Sequence, residues 1–567
     1  MYICIEGGVS FLAIMKKWRV NLIFIVIILF GAAIISRLVY LQIIKHDLYK
    51  ALAQGQQEPF QIMKGERGEI FFSGGEILAT NMKEKYVFVS PQEIKEKEKT
   101  AEALSQIFNS DHNPPVTPQG KTAYEVILEK LKKNSLFEKI KSKITEEEEQ
   151  ALKEINLTGV YLGEAVFREY PQGAMVSQTI GFFGGGEKGQ YGIEGYYDDV
   201  LQGEEGIQEF DKGSDIFLTI DYNIQFMAEK LLESAKENLN IKGGQIIVLD
   251  PNSGKILALA NFPNFNPNNY SEVDFELFQN SAVQKPFEPG SVFKPITMAA
   301  ALEQEKITPQ TTYIDTGKVK IGEDTIRNYG ENVWGKQTMT GVLEKSINTG
   351  AVFAERQLGH ELFLEYIDLF GFFEPTGIDL QAEFFSENRE FKKGYEINFA
   401  TASYGQGIEM TPIQLVRAFC AIANGGKLVR PYIVEKIVEN GTTIETQPEI
   451  SSEQVISQKT SSQLTAMLIS VVENGFAKAA GVPDYYIAGK TGTAQIPWST
   501  LGVDKRGYSQ ETWQSFIGFA PAFSPRFLIL IKLDNPRAKT AEYSAVPIFK
   551  ELAKYIIDYM QIPPDYE

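Results

Sequence analysis

The chain has 567 residues, enough for several domains, and its 43% hydrophobic and 23% charged residues are typical of a folded protein. Its formal charge of −18 argues against nucleic acid as a partner, because phosphate binding needs clustered Lys and Arg. The two cysteines, Cys4 and Cys420, lie far apart, which excludes a disulfide framework and a cysteine-based zinc site.

A hydrophobic segment lies close to the N-terminus. Residues 20–35 are nearly all apolar and follow three positive charges, and the run continues less strictly beyond them. At ~1.5 Å per residue a helix over 20–43 just spans a bilayer, and the positive flank predicts a cytoplasmic N-terminus at 1–19. A cleaved signal peptide is the alternative, which the lack of a small-residue cleavage site disfavours. Met15, which precedes two lysines, looks like a more natural start than Met1.

Residues 44–210 predict a module of their own. They mix short strand-like runs with Gly-rich turns, and a Gly-rich break follows near 203–213. Within the module, residues 92–154 form a charged stretch in which apolar residues recur at helical spacing, as in KTAYEVILEKLKK. This spacing predicts a helical insertion, and we interpret its runs of like charge as solvated faces.

Residues 211–567 predict a second, larger domain. DIFLTID predicts a strand, NIQFMAEKLLESAKENL a helix, and GGQIIVLDPNSGKILALA a β-hairpin around the turn residues DPNSG. Near the C-terminus, SFIGFAP and FLILIKLD predict two more strands, and AVPIFKELAKYIIDYM predicts an amphipathic helix. This order of elements predicts an α+β fold with an antiparallel sheet flanked by helices.

The segment FEPGSVFKPIT places Ser291 three residues before Lys294. If Ser291 opens a helix, Lys294 lies on the same face one turn later. A serine needs a base beside it, and a lysine can serve only if burial and nearby cations lower its pKa from about 10.4 toward neutrality. Pro295 cannot donate to the Ser291 carbonyl, which predicts a local distortion of the backbone. The pair alone is weak evidence, because S-x-x-K also occurs by chance and in capped core helices.

Ser346 and Asn348 form the second candidate element, in LEKSINTGAVFAERQLG. The hydroxyl and the amide lie two residues apart between two helical runs, so both can point from a loop into one site. S-x-N is also weak by itself, because Ser386 and Asn388 repeat it. We interpret that second copy as an ordinary surface turn.

GKTGTAQ, residues 489–495, is the third element. Lys490 follows the strand-like run YYIA and offers a charge for a carboxylate, while Thr491 and Thr493 offer hydroxyls. Gly492 removes a side chain where a substrate backbone could lie against a strand edge. A phosphate-binding loop is the competing interpretation, but the G-x-x-x-x-G-K-[ST] pattern is absent.

The three motifs occur in the order S-x-x-K, S-x-N and K-T-G, each in a fitting context of helix start, interhelical loop and strand. The rival arrangement, a Ser-His-Asp triad, needs a histidine in the catalytic domain. His46 lies beside the hydrophobic segment and His112 in the charged insertion. Only His360 remains, in QLGHELF, where a role at a helix end is the plain interpretation. Lysine is therefore the remaining credible base.

Longer segments resemble the class B penicillin-binding proteins, which are monofunctional transpeptidases. They include RGEIFFSGGEILATN (67–81), REYPQGAMVSQTIGFFG (168–184) and YGQGIEMTPIQLVRAF (404–419), and the resemblance covers nearly the whole chain. Two departures, at residues 72–75 and at Gln178, replace Asp-Arg-Asn-Gly-like residues and a histidine of the family. The resemblance implies a penicillin-binding transpeptidase fold on a pedestal, or dimerisation-type, module.

The resemblance also implies roles for the motif residues. Ser291 would attack the carbonyl between two terminal D-alanines of a stem peptide, and Lys294 would take its proton. Ser346 would relay a proton to the leaving amine, and Asn348 would hold Lys294 and a substrate amide. D-Alanine would leave, and an amine from a neighbouring strand would form the cross-link.

The third motif would bind the substrate. Lys490, Thr491 and Thr493 would bind the terminal carboxylate, and the backbone N–H groups of Ser291 and Thr493 would form the oxyanion hole. β-Lactams would acylate the same serine. The resemblance implies neither a metal nor an organic cofactor.

The resemblance places the enzyme in the cell membrane with its catalytic domain outside, in a wall-synthesis complex that includes a separate glycosyltransferase. KTGT followed by Ala-Gln, and the overall length, favour the division (septal) type over the elongation type. A D,D-carboxypeptidase or β-lactamase-type hydrolase is an alternative that the anchor and pedestal disfavour. An inert scaffold or a β-lactam sensor is another, which the intact motif residues disfavour.

Overall fold

The computed structural model of this protein describes residues 30–31, 66–108, 121–184, 188–203 and 212–566. The predicted cytoplasmic segment, 1–19, and all but two residues of the predicted anchor, 20–43, lie outside the described residues. None of the helices in the described ranges is both long and apolar enough to cross a membrane. The described residues from 66 onward belong to one compact unit.

The first part of this unit is a mixed α/β module. Its strands are β1 (Ile70–Phe71), β2 (Ile77–Val89), β3 (Glu138–Lys141), β4 (Val160–Glu169), β5 (Phe182–Gly184) and β6 (Lys188–Gln190). Its helices are α1 (Lys97–Phe108), α2 (Ala123–Leu131), α3 (Glu146–Ile155), α4 (Ser177–Ile180), α5 (Gly192–Tyr196) and α6 (Asp198–Leu201). β2 pairs antiparallel with β1, β3 and β4.

The described part of the charged stretch 92–154 contains the helices α1 and α2 and nearly all of α3, and local signals start two of them. Thr122 caps α2 and Thr145 caps α3, each in a capping box completed by a glutamate three residues later. The stretch also contains β3, which the sequence analysis missed. This four-residue edge strand forms through pairing with β2, a tertiary contact that overrides local propensity.

The second part of the unit holds the remaining elements. Its strands are β7 (Asp215–Leu218), β8 (Gly243–Leu249), β9 (Ile256–Phe262), β10 (Thr312–Asp315), β11 (Lys318–Ile321), β12 (Asp324–Arg327), β13 (Gly335–Thr338), β14 (Lys427–Val429), β15 (Val434–Glu439), β16 (Thr442–Glu445), β17 (Ile450–Gln454), β18 (Ala488–Pro497), β19 (Tyr508–Ala520) and β20 (Phe527–Asp534). Its helices are α7 (Tyr222–Leu239), α8 (Ser281–Gln284), α9 (Lys294–Glu303), α10 (Met339–Glu344), α11 (Asn348–Leu358), α12 (His360–Leu369), α13 (Glu396–Ala402), α14 (Pro412–Ala423), α15 (Gln458–Asn474) and α16 (Ala545–Tyr559).

A five-stranded antiparallel sheet forms the centre of this second part, in the order β18-β19-β20-β8-β9. β8 is buried along its whole length, and successive side chains of a strand point to opposite faces, so both faces of the sheet are covered. Helices pack against it, among them α7, α14, α15 and α16. The predicted α+β fold with an antiparallel sheet flanked by helices is confirmed, and β18 lies at one edge of that sheet.

A second sheet crosses the predicted boundary near residue 210. Its strand order is β16-β15-β7-β1-β2-β3, with β4 also paired to β2. β7 pairs parallel with β1 and antiparallel with β15, so strands from the predicted second domain extend the sheet of the first module. Gln178, where the family often has a histidine, adds a further link: its amide donates to Pro263 O at 2.8 Å and Leu277 O at 3.1 Å.

Candidate active site

Ser291 lies in a 3₁₀ turn, Gly290–Phe293, that leads directly into α9 at Lys294. In a 3₁₀ turn, residues three apart eclipse each other, which brings the two side chains together. Lys294 Nζ lies 2.9 Å from Ser291 Oγ. Pro295 follows in the first turn of α9, where a missing N–H leaves no hydrogen bond unmade. The distortion predicted at Pro295 therefore takes the form of a tight turn at the serine.

Glycines let this turn pack closely against its neighbours. Gly290 and Gly405 both have positive φ angles, 60° and 80°, and the Gly290 N–H donates to Gly405 O at 2.9 Å. A Cβ on Gly405 would lie 2.2 Å from Gly290 O. The loop after α13 thus lies against the residue preceding Ser291 and fixes its backbone from one side.

The S-I-N motif forms the turn between α10 and α11. Ser346 adopts the left-handed conformation, with φ at 53°, and this turns the chain so that Asn348 opens α11. Lys294 Nζ donates to Ser346 O at 2.6 Å and to Asn348 Oδ1 at 2.8 Å. The Asn348 amide donates in turn to Arg327 O at 3.0 Å, which holds its oxygen toward Lys294.

Lys490 reaches the same point from β18. Its Nζ donates to Ser346 Oγ at 3.0 Å, and Lys294 Nζ lies 3.2 Å from that oxygen. Both lysines are fully buried. Burial, together with the charge of Lys490, holds the pKa of Lys294 well below its usual range, and burial lowers the pKa of Lys490 to about 7. The arrangement favours a neutral Lys294 beside Ser291.

Successive side chains of β18 point to opposite faces of the strand, so the remaining residues of the third motif face two different sides. Thr491 and Thr493 line the cleft, whereas Gly492 points to the opposite face of the strand. A Cβ on Gly492 would lie 2.9 Å from Val292 Cγ1 and 3.0 Å from Pro289 O. The structure thus gives this glycine a structural role besides the predicted one: its missing side chain makes room for the turn that carries Ser291.

The structure therefore brings the three motifs together, around a cleft of about 1030 Å³ lined by Ser291, Ser346, Asn348, Thr491 and Thr493. His360 does not line it. Its Nδ1 lies 2.6 Å from Glu355 Oε1 at the start of α12, the predicted helix-end position. In the described part of the chain, acidic, histidine and cysteine side chains form no group suited to a metal ion.

Glu288 is a neighbour of the site that the sequence analysis missed. It is 6% exposed, and Tyr508 Oη donates to its Oε2 at 3.0 Å. Burial raises the pKa of Glu288 to about 7. Its position three residues before Ser291 indicates that it lies near the site. No local sequence pattern indicates that its carboxyl is buried under a tyrosine from a distant strand.

Comparison with known families identifies the fold around this site. Residues 244–554 match the family described as the penicillin-binding protein transpeptidase domain, which covers more than half of the chain. The chain belongs to the penicillin-binding protein transpeptidases. Residues 62–215 match the penicillin-binding protein dimerisation domain, so the penicillin-binding protein carries both modules in the predicted order.

Known relatives of this penicillin-binding protein span nearly its full length. Stage V sporulation protein D of Bacillus subtilis is 33% identical, over 96% of this chain and 86% of the relative. The probable peptidoglycan D,D-transpeptidase PenA of Neisseria meningitidis is 29% identical, over 96% and 93%. The crystal structure of penicillin-binding protein 3 from Mycobacterium tuberculosis with aztreonam matches with a TM-score of 0.69 at 26% identity, covering 88% of this chain and 97% of that one.

These matches confirm the class B resemblance inferred from the sequence. The protein is an enzyme, a transpeptidase of peptidoglycan synthesis. It has the penicillin-binding transpeptidase fold and an N-terminal dimerisation, or pedestal, module.

Proposed function

We propose that Ser291 is the nucleophile of this D,D-transpeptidase and that Lys294 is its general base. The observation that carries the proposal is the surroundings of the buried Lys294 amine. A neutral amine has two hydrogens, and two carbonyl oxygens, Ser346 O and Asn348 Oδ1, lie at 2.6 and 2.8 Å to accept them. The lone pair is then left for the proton of Ser291, whose Oγ lies 2.9 Å away.

Acylation follows from this geometry. Ser291 Oγ attacks the carbonyl carbon between the two terminal D-alanines, and its proton passes to Lys294. The backbone N–H groups of Ser291 and Thr493 stabilise the oxyanion. The C–N bond then breaks, and the leaving amine takes its proton through Ser346, whose hydroxyl contacts both lysines. Free D-alanine departs, leaving an ester on Ser291.

Deacylation runs the same steps in reverse with a new amine. The acceptor amine attacks the ester carbonyl, loses a proton through Ser346, and forms the new amide while Ser291 Oγ recovers its proton. Lys490, Thr491 and Thr493 hold the terminal carboxylate of the donor, and Asn348 holds a substrate amide. A β-lactam acylates Ser291 by the first half of the cycle.

The setting proposed for this reaction is the outer face of the cell membrane. The apolar run and positive flank support a cytoplasmic segment at 1–19 and an anchor at 20–43, followed by the pedestal at 44–210 and the transpeptidase domain at 211–567. The KTGT-AQ segment supports action at the division septum, within a complex that includes a separate glycosyltransferase. Accumulation of a tagged protein along the side wall would instead indicate the elongation type.

Labelling with a fluorescent penicillin tests the nucleophile. We expect the wild type to form a covalent adduct and Ser291→Ala to form none, because the ester oxygen is missing. Ser386→Ala, in the second S-x-N copy, is the control and should label like the wild type. A wild type without adduct, or an unchanged adduct on Ser291→Ala, would contradict the proposal, and rapid release of the opened β-lactam would indicate a hydrolase.

A further inference from the structure

The cleft contains a lysine that the proposed reaction does not use. Lys345 directly precedes Ser346 and lines the cleft. Its Nζ donates to Gln337 Oε1 at 2.7 Å and lies 5.4 Å from the ring centre of Trp334. Its contacts in the described part of the chain are thus an amide oxygen and an aromatic face, not a carboxylate. In a protein of charge −18, this leaves a half-buried cation free to pair with an incoming acid.

An aromatic platform adjoins this lysine. The rings of Trp334 and Phe476 meet edge to face with centroids 6.3 Å apart, and both residues line the cleft. Phe476 is 42% exposed, although its N–H donates to Glu344 O and so fixes its backbone beside α10. Exposed aromatic faces beside a cation suit a ligand with an apolar body and a negative charge.

The position of Lys345 indicates whether the donor or the acceptor strand of peptidoglycan would bind there. In the proposed mechanism Ser346 gives a proton to the amine that leaves. The acceptor amine arrives where the leaving amine departed, because aminolysis of the ester is the reverse of acylation. Lys345, which directly precedes Ser346 and lines the cleft, is therefore placed to contact the acceptor strand.

We propose that Lys345, Trp334 and Phe476 form a subsite for the acceptor stem peptide. Lys345 binds a carboxylate of the acceptor other than the terminal carboxylate of the donor, and the two rings pack on the apolar part of the peptide. The ligand class is an anionic peptide with a free side-chain amine. This inference rests on the proposed function, since it assigns one more part of the same cleft.

Aminolysis with two matched acceptors tests the subsite. The purified full-length protein would be incubated with a D-alanyl thioester donor and an acceptor peptide that carries a side-chain amine and an upstream carboxylate. A second reaction would use the same peptide with that carboxylate amidated. Lys345→Met keeps the alkyl chain over Trp334 and removes the charge. Loss of a charged hydrogen bond should raise the KM for the acidic acceptor about tenfold and leave that for the amidated acceptor unchanged. Lys345→Arg should behave like the wild type.

Two controls separate the subsite from the catalytic chemistry. Lys539→Met removes another cleft-lining lysine, which lies close in sequence to Ala541, whose N–H donates to Thr493 Oγ1. It should leave the acceptor KM unchanged. Acylation by fluorescent penicillin should be unaltered in Lys345→Met and Trp334→Leu, whereas Trp334→Leu should raise the KM for both acceptors.

Several results would overturn the subsite. They are an unchanged acceptor KM in Lys345→Met, an equal rise for the amidated acceptor, a loss of acylation in Lys345→Met, or an effect confined to Lys539→Met. Failure of the wild type to acylate at all would instead contradict the role of Ser291. The two proposals therefore fail by different measurements.

Discussion

Two buried lysines share one serine hydroxyl at the centre of the cleft. Lys294 and Lys490 approach Ser346 Oγ to 3.2 and 3.0 Å, and neither amine is accessible to water. Two ammonium groups this close repel each other and lose hydration, which disfavours the doubly protonated pair. The charge of Lys490 adds to burial in lowering the pKa of Lys294, so Lys294 gives up its proton before Lys490.

These two shifts predict a bell-shaped pH profile for acylation by a D-alanyl thioester donor whose thiol leaving group carries the terminal carboxylate. As the pH falls, Lys294 gains a proton and loses the lone pair that we propose activates Ser291. As the pH rises above about 7, Lys490 loses the charge that we propose binds the carboxylate. The second-order rate constant, which reports the free enzyme, should fall above about pH 7 and fall again toward acid pH.

Lys490→Arg is the matched variant for the alkaline side of this profile. An arginine stays protonated throughout this range, so the fall above neutrality should disappear if the variant acylates. An alkaline decline that persists in Lys490→Arg would show that another group causes it.

At the scale of elements, three segments hold the turn that carries Ser291. They are the loop after α13, the strand β18 and the start of α9. Gly405 and Gly492 leave no room for a Cβ against this turn. The proposed nucleophile, Ser291, is therefore positioned by backbone contact from two sides, and such contact keeps the geometry of a site without relying on flexible side chains.

Gly405→Ala tests this contact. Its φ of 80° costs an alanine about 1 kcal/mol, and its Cβ would also displace Gly290, whose oxygen lies 2.2 Å from the Cβ position. We expect acylation by fluorescent penicillin to slow about a hundredfold, as misplaced catalytic groups do. Gly441→Ala has nearly the same φ, 79°, and open space, so it should bear the backbone strain and acylate normally. Equal rates in the two variants would contradict the positioning role.

The elements differ in how far the sequence alone could predict them. The hairpin of β8 and β9 and the helix α16 follow from alternation and helical periodicity over a few residues, and both predictions are confirmed. β3 was missed because four residues carry too little local signal and form a strand only by pairing with β2.

At the scale of the molecule, a buried ion cluster joins distant parts of the N-terminal module. The Glu194 carboxylate is fully buried and accepts from Arg67 and Arg168 at 2.7 Å each and from Tyr170 at 3.0 Å. Arg67 also pairs with Asp198. Burial alone would raise the pKa of Glu194, but the two arginines hold it below its usual value. The cluster ties the segment before β1 to β4 and α5.

Glu194→Ala should destabilise the protein strongly. It removes the carboxylate that two buried guanidinium groups share and leaves Arg67 only Asp198, a change that costs about 3–5 kcal/mol. Glu96→Ala removes half of an exposed pair with Lys99, whose side chain is 75% exposed, and should leave the melting temperature nearly unchanged. Thermal unfolding followed by circular dichroism would measure both, and similar melting temperatures would show that the cluster is not a structural tie.

The sequence by itself determined the family, the nucleophile proposed here, its lysine partner, the order of the three motifs, and elements such as α7, α16 and the hairpin of β8 and β9. Such features are set by residues close together in the chain. Tertiary structure alone decided the rest: the pairing of β7 with β1, the burial of Glu288 under Tyr508, and the meeting of Lys490 with Ser346 across 144 residues. A pKa, a close backbone contact or an unpaired cation in a cleft depends on what surrounds a group in space, and local sequence does not specify those surroundings.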